Sequence, residues 1–253
     1  MDTLVIEHKK DYSIVQMDNG KVNAFDTALS RELKEVFLEL EKDDSNRGVI
    51  LAGRPHCFSA GLDVVKLLAG GVDGARVFWT EYLTMLQSMV RYSKPFVAAI
   101  TGYAPAGGTI PALCADYRIM GKGDKHVIGM HEFKMSMQVP ELMCDIFAYQ
   151  MGEKEAWAAI QKAQLFNSDQ AVEVGLVNES LEVDEVLPRA EKYLKKMMNV
   201  YAPCYSKSKG YFRKGLVKLV DRELEPMLDV IIKDLEDPIV QQSLQFFLAG
   251  LKK

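Results

Sequence analysis

The residues with the clearest chemical potential in this sequence form two short runs of small side chains. They are Phe58-Ser59-Ala60-Gly61-Leu62-Asp63 and Gly102-Tyr103-Ala104-Pro105-Ala106-Gly107-Gly108-Thr109. Each follows an apolar run that reads as a buried strand, and each precedes a helical pattern. Small residues let backbone approach a ligand closely, and N–H groups at a helix start lack an intrahelical acceptor. Two such turns can aim two N–H groups at one oxygen, the construction of an oxyanion hole. Most glycine turns are simply tight turns, so the runs alone do not decide between these readings. Other chemistries are poorly provided for. The four histidines (His8, His56, His126, His131) and four cysteines (Cys57, Cys114, Cys144, Cys204) are scattered, without HxxxH or CxxC. That argues against a metal site and a disulfide framework, leaving four reduced thiols of which three are expected to be buried. Neither GxGxxG nor GxxxxGK[ST] occurs, so dinucleotide and P-loop sites are not indicated.

The elements that must position these turns follow from hydrophobic periodicity. Residues 3–8 and 12–17 read as a β-hairpin around Lys9-Lys10-Asp11. Asp26-Thr27 can cap a helix through LSRELKEVFLELEKD. Residues 48–52 and 96–101 are buried strands, 75–91 is a helix, and the second glycine run leads into a helix at about 108–114. YRIMG and HVIGM are short strands. From 141 the chain is almost all helical apart from a strand near 176–181. Apolar stripes on 203–212, 217–235 and 238–251 need a surface to cover. The expected division is an α/β core over 1–195 and a helical region over 196–253.

Composition narrows the function classes. With 253 residues the chain can bury a large core. A net charge of −4 and no basic stripe argue against nucleic acid and anionic membrane partners. No apolar run is long enough to span a bilayer. The first residues, MDTLVIEHKK, lack the pattern of a signal or transit peptide, and a cytoplasmic location is expected.

The stretches KVNAFDTAL (21–29), FSAGLD (58–63), AAITGYAPAGGTIPALCADYRIM (98–120) and IGMHE (128–132) resemble the signature of the crotonase, or enoyl-CoA hydratase/isomerase, superfamily. Within it the PAGG turn, the segments after it and the tail DPIVQQSLQFFLAGLKK are most similar to mitochondrial-type Δ3,Δ2-enoyl-CoA isomerases. The resemblance implies a ββα spiral core with a helical C-terminal extension, an acyl-CoA thioester as substrate, no separate cofactor and no metal. It also implies a homotrimer or a dimer of trimers, consistent with the unpartnered stripes after 203. Residue by residue, it assigns the backbone N–H groups of Leu62 and Gly107 to an oxyanion hole. Lys21, Ala24, Ser59 and Ala60 match positions along the CoA, and Gly108 and Ile110 fall beside the acyl group. Asp63 holds its loop and caps the next helix. The family's hydratases carry one glutamate where this chain has Ile110 and a second that falls on Glu132. Isoleucine cannot orient water, and hydration needs two groups to share the proton work. A 1,3-proton shift needs one base. Ile128, Met130, Phe133 and Met135 around Glu132 provide apolar surroundings that raise a carboxyl pKa. His131 and Phe133-Lys134 depart from the family pattern, and His131 and Glu141 are the alternative titrating groups. Lys207 and Lys209 fall either near the nucleotide phosphates or on a solvated helix face, and Asp124 in an exposed loop. The alternatives are another activity of the superfamily (hydratase, which the missing glutamate disfavours, thioesterase or decarboxylase) or non-catalytic acyl-CoA binding.

Overall fold

The computed structural model describes residues 1–251. Lys9 to Asp11 reverse the chain, and β1 (Leu4–His8) pairs antiparallel with β2 (Ser13–Met17). Asp26 then caps α1 (Thr27–Lys42), its carboxylate accepting from the Leu29 N–H at 2.9 Å. From there the chain winds in a repeating pattern. A strand enters a six-stranded sheet, a second strand joins a four-stranded sheet, and a helix closes the turn. The first turn is β3 (Val49–Ala52), β4 (His56–Cys57), α2 (Val64–Ala69) and α3 (Gly71–Arg91). The second is β5 (Phe96–Ile100), β6 (Gly102–Pro105) and α4 (Thr109–Leu113). The third is β7 (Tyr117–Gly121), β8 (Val127–Gly129) and, after a 3-10 turn, α5 (Glu141–Met151). Next come α6 (Glu153–Gln161), β9 (Phe166–Asn167), α7 (Ser168–Glu173), β10 (Glu179–Leu181) and α8 (Val183–Met198). The large sheet runs β1-β2-β3-β5-β7-β10 and the small one β4-β6-β8-β9. This is the ββα spiral that the family resemblance implied.

The central strands β3, β5 and β7 of the large sheet are buried on both faces, as their continuous apolar runs require. Ile50, Ala52, Val97, Ala99 and Ile119 pack on Val186, Ala190, Leu194 and Met198 of α8. Their strand neighbours Leu51, Phe96, Ala98, Ile100 and Met120 belong to the core shared with α1 and α3. Each fully buried valine, leucine, isoleucine, methionine or phenylalanine among them contributes about 1.5–3 kcal/mol relative to an exposed one.

Three helices end the described chain: α9 (Ala202–Val220), α10 (Leu224–Glu236) and α11 (Pro238–Leu251). The boundary expected at 195 lies in the last turn of α8. Met227, Leu228, Ile231, Ile232 and Leu235 of α10 are buried in the main core, as are Val240 and Leu244 of α11. The apolar stripes suggested a break between 212 and 217, but α9 runs through it and the break falls at 221–223. Burial of Arg213, Leu216 and Val220 outweighs the low helix propensity of Gly210 and Gly215, about 1 kcal/mol each. Likewise α3 starts a turn before the expected 75, and β9 was not foreseen. Of the cysteines only Cys114 is buried. Cys57 and Cys144 are half-buried and Cys204 is exposed, because the elements carrying them lie at the surface.

Candidate active site

The two glycine turns meet. Strands β4 and β6 run parallel, with His56 opposite Gly102 and Cys57 opposite Tyr103, so both turns leave the small sheet at the same end. Gly61 has φ +91°, a conformation that disfavours any side chain. A Cβ there would lie 3.2 Å from the Pro105 carbonyl and 3.6 Å from the Gly107 nitrogen. A Cβ on Gly107 would fall 2.5 Å from Leu62 Cδ2. The first turn is fixed from outside: the Phe25 N–H donates to the Gly61 carbonyl and the Asp63 N–H to the Phe25 carbonyl, both at 2.8 Å. That bridge passes over the Leu62 N–H without using it. Ser59 braces the turn from within, donating to the Asn23 carbonyl at 2.7 Å and accepting from the Gly61 N–H at 3.1 Å. Gly107 is the middle residue of a 3-10 turn (Ala106–Gly108), where an N–H has no intrahelical acceptor. Its carbonyl is held from behind by the Tyr82 hydroxyl at 2.6 Å. Two unused N–H donors, on Leu62 and Gly107, thus sit on adjoining rigid turns.

Strand β8 brings the carboxyl group to the same end. It pairs parallel with β6, Pro105 opposite Gly129. Thr109 ties the two together, its hydroxyl donating to the Ala104 carbonyl at 2.7 Å and accepting from the Gly129 N–H at 2.9 Å. Just beyond β8, Glu132 opens a 3-10 turn (Glu132–Met135) with its side chain buried, 6% exposed. Its Oε2 has no hydrogen-bond partner. Burial raises its pKa from 4.5 to about 7, against the opposing pull of the N–H groups of Glu132 and His131. Tyr82 is held well above 10 by burial, with the charges of Cys114 and Glu132 adding to it. The tyrosine that holds Gly107 is therefore within electrostatic reach of Glu132. A carboxyl titrating near neutrality can both take and return a proton.

The remaining expected residues divide by position. Ile110 is fully buried in the first turn of α4. A Cβ on Gly108 would lie 2.7 Å from the Ser59 carbonyl, so that glycine is needed for turn-to-turn contact. Asp63 caps α2, accepting from the Lys66 N–H at 3.0 Å. The Ala60 N–H donates to the Val22 carbonyl at 2.9 Å, Ala24 is half-buried and Lys21 is exposed. His131 is half-buried with an unpartnered Nδ1, and burial followed by the nearby Lys134 lowers its pKa. Glu141 is exposed and paired with Arg222 in the first turn of α5. Asp124 and Lys207 are exposed.

Lys209 fits neither sequence alternative. Its ammonium is buried against Asp116 at 2.7 Å and the Lys94 carbonyl at 2.8 Å, beside Arg213, which reaches the other Asp116 oxygen at 2.8 Å. The apolar pattern could not show that this face of α9 packs inward. The sequence reading also missed the support roles of Tyr82 and Thr109. A tyrosine on an apolar helix face signals a hydroxyl in need of a partner, but nothing local names Gly107 as that partner. Among the described residues no group of three or more His, Cys, Asp or Glu is placed to hold a metal ion.

The family model described as "Enoyl-CoA hydratase/isomerase" matches residues 7–250. "Enoyl-CoA delta isomerase 1, mitochondrial" of Mus musculus is 29% identical over 246 residues, covering 95% of this chain and 84% of that protein. "Crotonyl-CoA hydratase" of Syntrophomonas wolfei is 23% identical over 233 residues, covering 88% and 86%. The crystal structure of human mitochondrial delta3-delta2-enoyl-CoA isomerase superposes with a TM-score of 0.95 at 26% identity, covering 99% of this chain and 98% of that one.

Proposed function

Since the chain belongs to the enoyl-CoA hydratase/isomerase family, we propose that it shifts the double bond of a 3-enoyl-CoA to the 2-position by a single-base 1,3-proton transfer. The observation that carries the reading is the pairing of Glu132 with Ile110. One buried carboxyl titrates at about 7 beside the glycine turns, and the position where a second acid would be required for hydration holds a fully buried isoleucine.

The proposed reaction has two proton steps. The Glu132 carboxylate takes a proton from C2 of the thioester, and the electron pair moves through the carbonyl to give a dienolate. The N–H groups of Leu62 and Gly107 stabilise its oxygen, each such donor being worth about 3–4 kcal/mol of barrier. The protonated carboxyl then returns its proton to C4, the double bond moves to C2–C3, and the base is regenerated. Lys21, Ala24, Ser59, Ala60, Asp63, Gly108 and Ile110 would line the CoA and acyl path, with no resident cofactor. Relatives named for isomerase activity support the reading. Hydration is the rival within the family, and it predicts turnover of 2-enoyl-CoA to the hydroxyacyl product.

Incubation with 3-enoyl-CoA, followed by absorbance of the conjugated thioester, tests the activity. Glu132→Gln keeps the side-chain shape and removes the base. It should lose about 10²–10⁴-fold in turnover while calorimetry still shows saturated acyl-CoA binding. Retention of more than about a tenth of wild-type turnover, well short of that loss, would pass the role to Glu141 or His131. Hydratase turnover comparable with isomerase turnover would favour the rival.

A homotrimer or dimer of trimers is part of the proposal. Its support is the row of exposed aromatics on and before α9: Tyr201 at 72%, Tyr211 at 76% and Phe212 at 85%. Light scattering that reports a stable 28.4 kDa species would refute it. No described helix is long and apolar enough to cross a membrane. Cell fractionation decides between the expected cytoplasm and the mitochondrion named for the mouse and human proteins.

A further inference from the structure

The proton chemistry leaves one group of buried charges unused. A cavity of about 430 Å³ opens between the start of β7, the end of α5 and the first half of α9, and Arg118, Lys209, Arg213 and Asp116 line it. None of its lining residues belongs to the glycine turns or to the Glu132 segment. Helix α4 separates the two places, since it starts beside the Gly107 turn and ends at Leu113, just before Asp116.

Arg118 is 5% exposed, and the side chains of Arg213 and Lys209 are comparably buried. Asp116 is the one acid in the lining, and both its oxygens are taken. Oδ1 accepts from Arg213 at 2.8 Å. Oδ2 accepts from Lys209 at 2.7 Å, the Phe96 N–H at 2.9 Å and the Tyr205 hydroxyl at 3.0 Å. Glu41, the other acid felt by Lys209, is held by the N–H and hydroxyl of Ser93 at 3.0 and 2.6 Å. Among the described residues Arg118 has no carboxylate partner. Its Nε donates to the Leu176 carbonyl at 2.6 Å and its Nη1 to the Ala115 carbonyl at 3.0 Å. Its Nη2 makes no hydrogen bond and is not sealed by protein, so it opens onto the cavity that Arg118 lines.

Capping explains part of this arrangement. Arg118, Arg213 (to the Cys114 carbonyl at 2.8 Å) and Gln150 (to the Leu113 carbonyl at 2.7 Å) satisfy the carbonyls at the end of α4. Carbonyls supply no counter-charge, however. Three cations against one carboxylate leave two positive charges uncompensated, and buried charges are ordinarily paired. Burial, and then the Arg213 charge, lowers the Arg118 pKa to about 10. A dianion offsets both charges. Phosphate carries about −1.5 to −2 at neutral pH and offers three strong acceptor oxygens. Tyr149 and Phe212, both exposed, also line the cavity and offer flat faces to a planar group attached to that phosphate.

We propose that this cavity is a second ligand site, separate from the acyl-CoA site, for a phosphate dianion that is either free or carried as a monoester. The inference does not depend on the isomerase reading.

Calorimetry and thermal melts on the protein as it assembles in solution, with and without saturating octanoyl-CoA, test it. The probes are inorganic phosphate and adenosine monophosphate, with potassium chloride at matched ionic strength as the control. Phosphate should bind once per chain whether or not octanoyl-CoA is present. It should raise the melting temperature by about 3–6 °C at about ten times its Kd, and chloride should do neither. Tighter binding of the nucleotide identifies a phosphate carried on a planar group, and equal affinity identifies free phosphate. Ser208→Glu sets a carboxylate at the cavity from an exposed helix position and should weaken phosphate about tenfold or more. Ser208→Gln should leave the affinity unchanged. Arg118→Met should abolish binding; if that variant does not fold, the Ser208 pair carries the test alone. Displacement of phosphate by octanoyl-CoA, an equal response to chloride, or indifference to Ser208→Glu overturns the proposal. So does the absence of binding at millimolar phosphate, which would assign the surplus charge to an acid from a second copy of the chain.

Discussion

Glu132 should leave a signature in stability as well as in rate. Its carboxyl is almost wholly excluded from water, with one oxygen unpartnered, and its pKa rises from 4.5 to about 7 on folding. The folded protein therefore binds this proton more tightly than the unfolded chain. The associated stability is fully present below pH 4.5 and is lost as pH rises through about 7. At about 1.4 kcal/mol per pH unit, the shift is worth about 3 kcal/mol. His131 works in the opposite direction. Burial lowers its pKa, so its contribution is present above its unfolded value and lost as pH falls through the folded one. A single pH–stability curve would mix the two, and the difference between wild type and Glu132→Gln isolates the glutamate. Near pH 4.5 the two proteins should be nearly equal in stability, because a protonated carboxyl and an amide are alike in size and charge. By pH 8 the Gln variant should be more stable than wild type by about 3 kcal/mol, the full value of the shift. Urea denaturation at half-unit pH steps measures this. Parallel curves for the two proteins would mean that Glu132 is not desolvated in the native state, and the argument for a base tuned by burial would fail with it.

Other perturbations probe the supports of the site. Gly61→Ala forces a side chain into φ +91° and against the Pro105 carbonyl. It should cost about 1–3 kcal/mol in stability, and turnover should fall further than acyl-CoA affinity as the Leu62 N–H is displaced. Tyr82→Phe deletes the 2.6 Å bond to the Gly107 carbonyl. It should destabilise by about 1–3 kcal/mol and lower kcat more than it raises KM, measured by paired melts and kinetics. Asp116→Asn removes the one carboxylate between Lys209 and Arg213, and denaturation should show a loss of about 3–5 kcal/mol. An unchanged midpoint in that variant would show that water already screens the cluster.

The α/β core was legible because its punctuation is local, whereas the ββα spiral was implied by the family resemblance alone, since β4 and β6 fall in stretches that read as loop and turn. Each apolar strand is followed by small residues and a helical period, and those signals survive without tertiary context. The apolar neighbours of Glu132 likewise foreshadowed its burial. What the sequence could not display were contacts that join distant segments. Tyr82 and Gly107 are bonded across 25 positions, and Lys209 reaches Asp116 across 93. A lysine on a mostly polar helix reads as solvated until the groove that receives it is known. The gap between the apolar stripes at 212 and 217 falls inside α9, whose buried Arg213 and Leu216 carry the helix through it.

The parallel ladder between β6 and β8 separates chemistry from architecture. Thr109 fixes the spacing of the two strand ends through main-chain atoms, so the backbone donors hold their places whatever side chain follows at 110. The loop of Lys122 to His126 joins β7 to β8 ahead of that clamp. Residues gained or lost there can be absorbed before the register is set, and the carboxylate arrives at the same height above the turn. On such a frame the loop can vary in length while the register of the ladder, and the turns that it carries, are kept.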